Sequence, residues 1–368
     1  MRVAFLTWRD STHPDGGGSE VFVEQVARGL VARGHDVTIL CARHGDAPAE
    51  SDLGGVRVLR TGGRLTVYPR GLLWLARHRR TDAVVDVING LPFGTPLVRR
   101  RGVVALVHHV HQRQWQIIYP GVRGRIGWFV ESRLTPAVYR RRPHVTVSEA
   151  SKRDLTALGI PNGAITVARN GLTTRRSNVD RSATPRLCVL ARLVPHKQIE
   201  HAVTVAARLR SEFPDLELDI VGEGWWRPEL EAAVAELSAE GFVHLHGHVP
   251  DDERDRLLGR AWLMLLPSVK EGWGLAVLEA AAQRTATVAY RDAGGVTESI
   301  VDGSTGLLVD DLEGLVSATR HVLANPWTRE RLGDAAALRA RDFDWSVTTG
   351  IVEGVLEEAV GRVGQRSP

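Results

Sequence analysis

The sequence has 368 residues, 43% hydrophobic and 24% charged, the make-up of a folded chain with room for two domains that each bury a core. It contains no apolar run of about 18 residues, and its opening MRVAFLTWRD is too short an apolar stretch for a signal peptide and lacks a small-residue cleavage site. A membrane span and a leader are therefore not expected, and a cytoplasmic location is. The net charge of +4 is unevenly spread: residues 51–200 hold 26 Lys and Arg against 8 Asp and Glu, whereas residues 201–368 hold 16 against 28.

In chain order, VAFLT (3–7) reads as a buried strand, followed by a Gly-rich turn and an amphipathic helix over 19–34. DVTILCA (36–42) is the next strand, and VRVLR, DAVVDVI, VVALVHH and HVTVS follow at intervals. The stretch 173–185 lacks apolar periodicity and ends in Pro, which marks a linker. Alternation then restarts with RLCVLAR, a helix over 198–212, LELDIVG, a helix over 227–240, VHLHG, WLMLLPS, a helix from about 275, TVAY and GLLVD. SVTTGIVEGVLEEAVGRV forms a last helix. This predicts an α/β chain of two doubly wound domains, 1–172 and 186–345, with the segment 346–368 as a final helix. Ligands of such a pair belong in the cleft at the carboxyl ends of the strands. Cys41 and Cys188 sit in strand-like runs and read as reduced core thiols.

The chemistry concentrates in strand-to-helix turns. In KEGWGLAVLE (270–279), Gly272 and Gly274 permit a tight turn before a helix opens at Leu275, so that amides and the positive helix end meet phosphate or sugar oxygens. Glu271 and Glu279 are too far apart to touch one atom and suit two groups of one ligand. LARLVPHK (190–197) aims Arg192 and Lys197 at a diphosphate. Only three of the 47 basic residues are lysines (Lys152, Lys197 and Lys270), and two of them fall in these motifs. IVGEG (220–224) offers Gly222, Glu223 and Gly224 to a base or ribose. Gly16, Gly17 and Gly18 open the first helix, but the turn is not G-x-G-x-x-G and the second strand ends without an acid, which disfavours a dehydrogenase. In VHHVHQ (107–112), His109 and His111 share a strand face while His108 points away, and no acid or Cys lies near in sequence. A metal site is not expected there. A His reaching a sugar hydroxyl is.

Taken in order, the Gly-rich first turn, the strand-end His, VTVSEASKRDL, ARNGL, LARLVPHK, IVGEG, EGWGLAVLE and AGGVTESIVDGSTGLLV closely resemble glycosyltransferase family 4, over nearly the whole chain. The most specific part is Glu271 to Glu279, which is similar to that family's signature of two Glu separated by seven residues. The resemblance implies a GT-B architecture of two Rossmann-like domains, an amino-terminal one for the acceptor and a carboxyl-terminal one for the donor, with the last helix returning to the first. It implies a retaining transferase that uses a nucleotide-diphosphate sugar and holds no cofactor tightly. Glu279 would bind the ribose, Glu271 the donor sugar, and the backbone of Gly272, Trp273, Gly274 and Leu275 the sugar and phosphate oxygens. Arg192 and Lys197 would neutralise the leaving diphosphate, and one of Gly16–Gly18 would approach it. His108, or its neighbour His109, would reach the sugar's outer hydroxyl, while Asn170, Ser148 and Glu149 match further family motifs. The sequence departs from the pattern at Gln198, Trp273 and Arg169, where Gly, Phe and Pro are usual.

No carboxylate nucleophile stands out, so front-face attack assisted by the departing phosphate is the expected course. A sugar-nucleotide epimerase on the same fold and a non-catalytic nucleotide-sugar binder are the alternatives. Asp342-Phe-Asp344 is spaced like a metal motif but reads as a domain-crossing turn. The acceptor is left open among a glycan, a lipid and a small molecule; nucleic acid is not expected. The basic excess of 51–200 suits an anionic partner such as a membrane surface, with Arg-rich codon bias and a charged domain interface as the plainer account. Within it, residues 123–142 read first as a core helix with a solvated Arg face. The alternative is an amphipathic helix on anionic lipid at the inner face of the membrane.

Overall fold

The computed structural model describes residues 1–173 and 176–361. Residues 174 and 175 of the expected linker and 362–368 of the expected last segment lie outside the described residues. The chain divides into two units, Met1–Gly171 with Asp344–Pro368, and Leu172–Phe343.

The first unit is built on strands β1 (Arg2–Leu6), β2 (Asp36–Cys41), β3 (Glu50–Leu53), β4 (Val56–Arg60), β5 (Ala83–Val87), β6 (Val103–Leu106), β7 (His144–Thr146) and β8 (Ile165–Val167). Their order is β3-β4-β2-β1-β5-β6-β7-β8. All pairs are parallel except β3 with β4. The second unit holds β9 (Arg186–Leu190), β10 (Glu217–Val221), β11 (Val243–Gly247), β12 (Leu263–Leu266), β13 (Thr287–Tyr290) and β14 (Gly306–Val309), in the order β11-β10-β9-β12-β13-β14, all parallel. Central strands such as β5, β6, β12 and β13 are buried along their whole length, because helices cover both faces of each sheet. That is why they read as continuous apolar runs rather than as alternation. Both units are doubly wound, and the architecture is GT-B. The order reverses between β1 and β5 in the first unit and between β9 and β12 in the second, the places where such sheets bind ligands.

Two strands were not expected. β3 has a polar sequence, ESDL, and pairs as the antiparallel edge of a hairpin, while β8 is only three residues long. The expected linker also behaves differently from a tether. Ser177 donates to Gln283 Oε1 from both its backbone N and its Oγ (2.8 Å each), Arg181 donates to the carbonyls of Ala261 and Arg284 (2.7 Å each), and Trp262 Nε1 donates to Ser182 O (2.7 Å). Lack of periodicity here marks irregular backbone laid along the second unit.

The helix Trp345–Val360 packs on the helix Gly18–Ala32 within the first unit. Asp344 caps it through Ser346 N (2.7 Å), and Arg33 and His35 both reach Glu353 (2.7 Å each). Gly29 is required there, since a Cβ would lie 2.3 Å from Thr349 Oγ1. Residues 123–142 correct the first expectation for that stretch. They form the helices Val122–Phe129 and Thr135–Tyr139 joined by a π turn, with the small residues buried and several large apolar ones exposed.

Candidate functional site

In the second unit the turns that follow β9 and β12 flank the point where strand order reverses, and they are tied together by Val269 N donating to His196 O (2.9 Å). Across this junction Lys197 Nζ lies 2.5 Å from Glu271 Oε1, both side chains about seven-eighths buried at 15% and 12% exposure. The loop 293–295 fixes the Glu271 backbone: Glu271 N donates to Ala293 O (2.6 Å) and Gly295 N to Glu271 O (3.1 Å). Gly295 leaves no room for a side chain, since its Cβ would stand 2.0 Å from Gly272 O. Gly274 adopts φ +91°, a conformation glycine reaches without strain, and so starts the helix Leu275–Ala282, whose first turn carries no side-chain cap.

Glu279 lies one turn inside that helix. Burial pushes its carboxyl pKa up, and Arg254 on the helix Asp251–Arg260, at 3.2 Å, opposes the rise. Arg254 also meets Asp251 and Asp255 at 2.9 Å. A buried carboxylate held against one guanidinium keeps acceptor capacity for hydroxyl donors. Arg254 escaped sequence reading because its pairing with Glu279 is purely tertiary.

Trp273 is 2% exposed, with its ring edge-on to Phe343 (centroids 5.3 Å apart), so its side chain belongs to the core. A Cβ at Gly222 would lie 1.9 Å from Ala191 O, and one at Gly224 2.1 Å from Leu193 O. The glycines of IVGEG are thus explained by backbone-on-backbone packing against the turn after β9, with Leu193 N donating to Glu223 O (3.0 Å). The Glu223 side chain is half-exposed and pairs with Arg227 at 3.1 Å. Arg192 is half-buried on the same turn as Lys197.

In the first unit Gly16, Gly17 and Gly18 lead into the helix Gly18–Ala32. Gly17 N donates to Glu20 Oε2 (2.8 Å), and Glu20 forms a buried pair with Arg9 (3.1 Å). Beside it, buried Asp10 receives Arg60 Nε (2.6 Å) and Thr12 Oγ1 (2.7 Å). These acids and cations, unmarked by any motif, stiffen the turn after β1. His108 is buried edge-on against Phe22 (5.2 Å), its pKa pushed down to about 4 by burial, with no partner at Nε2. His109 is half-exposed and accepts from Gln114 Nε2 (3.1 Å). His111 donates Nδ1 to Glu131 (2.8 Å), a buried acid that also receives Trp115 Nε1 (2.7 Å). No acid lies near these histidines in sequence, but the fold supplies one from 20 residues on. A signal was present: Glu131 is the single acid between Asp86 and Glu149. Asn170 is 5% exposed with an unpartnered Oδ1, and Ser148 is the cap of the helix Glu149–Ala157, accepting from Ser151 N (3.0 Å).

Two family descriptions match the chain consecutively: Glycosyltransferase Family 4 over residues 16–176 and Glycosyl transferases group 1 over residues 173–339. A glycogen synthase of Mycobacterium tuberculosis is 34% identical, with 100% of this chain and 97% of that protein covered. The chain belongs to glycosyltransferase family 4. Another relative of this glycosyltransferase, an MMP alpha-(1->4)-mannosyltransferase of Mycolicibacterium hassiacum, is 29% identical with 99% of each covered. Among solved structures, sucrose-phosphate synthase from Thermosynechococcus elongatus superposes with a TM-score of 0.83 at 20% identity, covering 97% of this chain and 98% of that one. The transferase therefore shares the two-domain fold, and no helix among its described residues is long and apolar enough to cross a membrane.

Proposed function

We propose that this glycosyltransferase moves a hexose-type sugar from a nucleotide-diphosphate sugar to an acceptor hydroxyl, with retention of anomeric configuration. The carrying observation is the Lys197–Glu271 pair at 2.5 Å, joining the turns that follow the neighbouring strands β9 and β12, just before the helix Leu275–Ala282 whose first turn carries no side-chain cap. Without donor, the Glu271 carboxylate satisfies the ammonium. With donor, the diphosphate takes that charge and Glu271 turns to the sugar hydroxyls. Arg192, Lys197 and the helix amides stabilise the leaving diphosphate as charge develops on it, and Glu279, steadied by Arg254, accepts from the ribose. A departing phosphate oxygen then takes the acceptor proton on the face from which the acceptor attacks, which retains configuration. The cations come from the chain, so the reading requires no tightly bound cofactor. The names of the relatives, a glycogen synthase and a mannosyltransferase, support a hexose. The acceptor is assigned to the first unit and left among glycan, lipid and small molecule.

A panel of GDP-, UDP-, dTDP- and ADP-hexoses read by thermal shift identifies the donor, because a ligand that binds only the native state raises its stability. The anomeric configuration of the product, read by NMR, then tests the mechanism. An inverted product would overturn front-face retention, and conversion of donor alone to its epimer would overturn transfer.

A further inference from the structure

The stretch 122–134 of the first unit largely inverts the usual relation between residue type and burial, before Tyr139 returns the chain to the core. Gly124, Gly127 and Glu131 follow one helical face and are buried, whereas Val122, Ile126 and Phe129, at i, i+4 and i+7 of the opposite face, are 65%, 58% and 55% exposed. Ile117 (39%) and Leu134 (49%) extend the apolar strip. The cause is local. Trp115 donates to Glu131 and draws that face inward, and the helix approaches so closely that a Cβ at Gly127 would stand 2.3 Å from the Trp115 ring and one at Gly124 2.2 Å from Tyr119 O. The small residues are used up in this contact, so the large apolar ones point to water.

We propose that this face docks on an anionic lipid bilayer, with Val122, Ile126, Phe129 and Leu134 entering the headgroup boundary. Exposed Arg123, Arg125 and Arg133 alternate with them, and the one acid of the stretch, Glu131, is turned inward. An apolar strip fringed only by guanidinium groups matches a surface of acyl chains beneath phosphates, since Arg stems lie along apolar groups while their heads reach the anions. A second copy of the chain matches poorly, because a two-fold contact would set the same arginines against each other. The inference goes beyond sugar transfer and stands without it.

The test is flotation of the full chain with vesicles of phosphatidylcholine alone and of phosphatidylcholine with phosphatidylglycerol. The chain should float with the second and not the first, and added salt should release it. I126S/F129S and R123Q/R125Q should each lower partitioning about tenfold, and, being surface changes, should leave the melting temperature in place. R79Q/R80Q, basic residues exposed elsewhere on the same unit, should bind like the parent. Binding to both vesicle types alike, binding to neither, unchanged binding of I126S/F129S, or equal loss with R79Q/R80Q would each overturn the proposal. So would a dimer that I126S/F129S dissociates.

Discussion

In the second unit, the turn after β10 and the turn after β12 each carry an acid beside a pair of glycines, and both lead into helices. After β10 the glycines are spent on packing against the carbonyls of Ala191 and Leu193, and Glu223 pairs with its helix neighbour Arg227 in solvent. After β12 the loop 293–295 holds the backbone instead, Gly274 turns the chain at positive φ, and Glu271 faces a lysine delivered by another strand. Glycine spacing alone does not separate a scaffold turn from a chemical one. The partner of the acid does, and that partner is chosen by strand order: β12 adjoins β9 at the reversal point, while β10 lies to one side.

Substitutions can sharpen or break this contrast. Lys197→Met should lower transfer about a thousandfold, because the proposed mechanism sets this ammonium on the leaving diphosphate, while urea midpoints stay near the parent value. A kcat close to wild type would put the diphosphate elsewhere. Gly222→Ala should act in the opposite way and cost about 4 kcal/mol of stability, because φ is +133° and the new Cβ meets Ala191 O. Chemical denaturation reads it, and a change under about 1 kcal/mol would mean the turn can relax.

The contrast extends to the first unit, where the strand-end histidine is locked in the core. The His108 pKa falls from the ordinary 6.5 to about 4. Between those values the unfolded chain binds the extra proton, so stability present above pH 6.5 is lost as pH falls toward 4, by about 3 kcal/mol in full. Unfolding free energies measured across that window should slope upward with pH, and His108→Phe should flatten the slope. An unchanged slope would assign the titration to another group, such as the buried His144. Smallest of all, Glu223→Ala should shift stability by less than about 0.5 kcal/mol, as half-exposed ion pairs do.

Much of this was legible beforehand. The strands stood out because helices on both faces make them continuously apolar, and the two glycine turns and Lys197 stood out by residue type. What escaped shares one physical reason. Arg254, Glu131, Asp10 and Arg9 gain their meaning from partners brought by tertiary packing, with no local period to announce them. The burial of the Trp273 ring against Phe343 is likewise a product of tertiary packing. In the stretch 123–142 the core reading holds for Tyr139 but not for Ile126, Phe129 and Leu134, because glycines at 124 and 127 take the inward place against Trp115.

The central claim is that Glu271, set against Lys197, serves the donor sugar rather than the fold. It is tested most directly by assaying Glu271→Ala for transfer and for nucleotide affinity in the same preparation. The account predicts that transfer is abolished while the nucleotide binds within a few-fold of the parent. Transfer near the parent rate with intact nucleotide binding would contradict it.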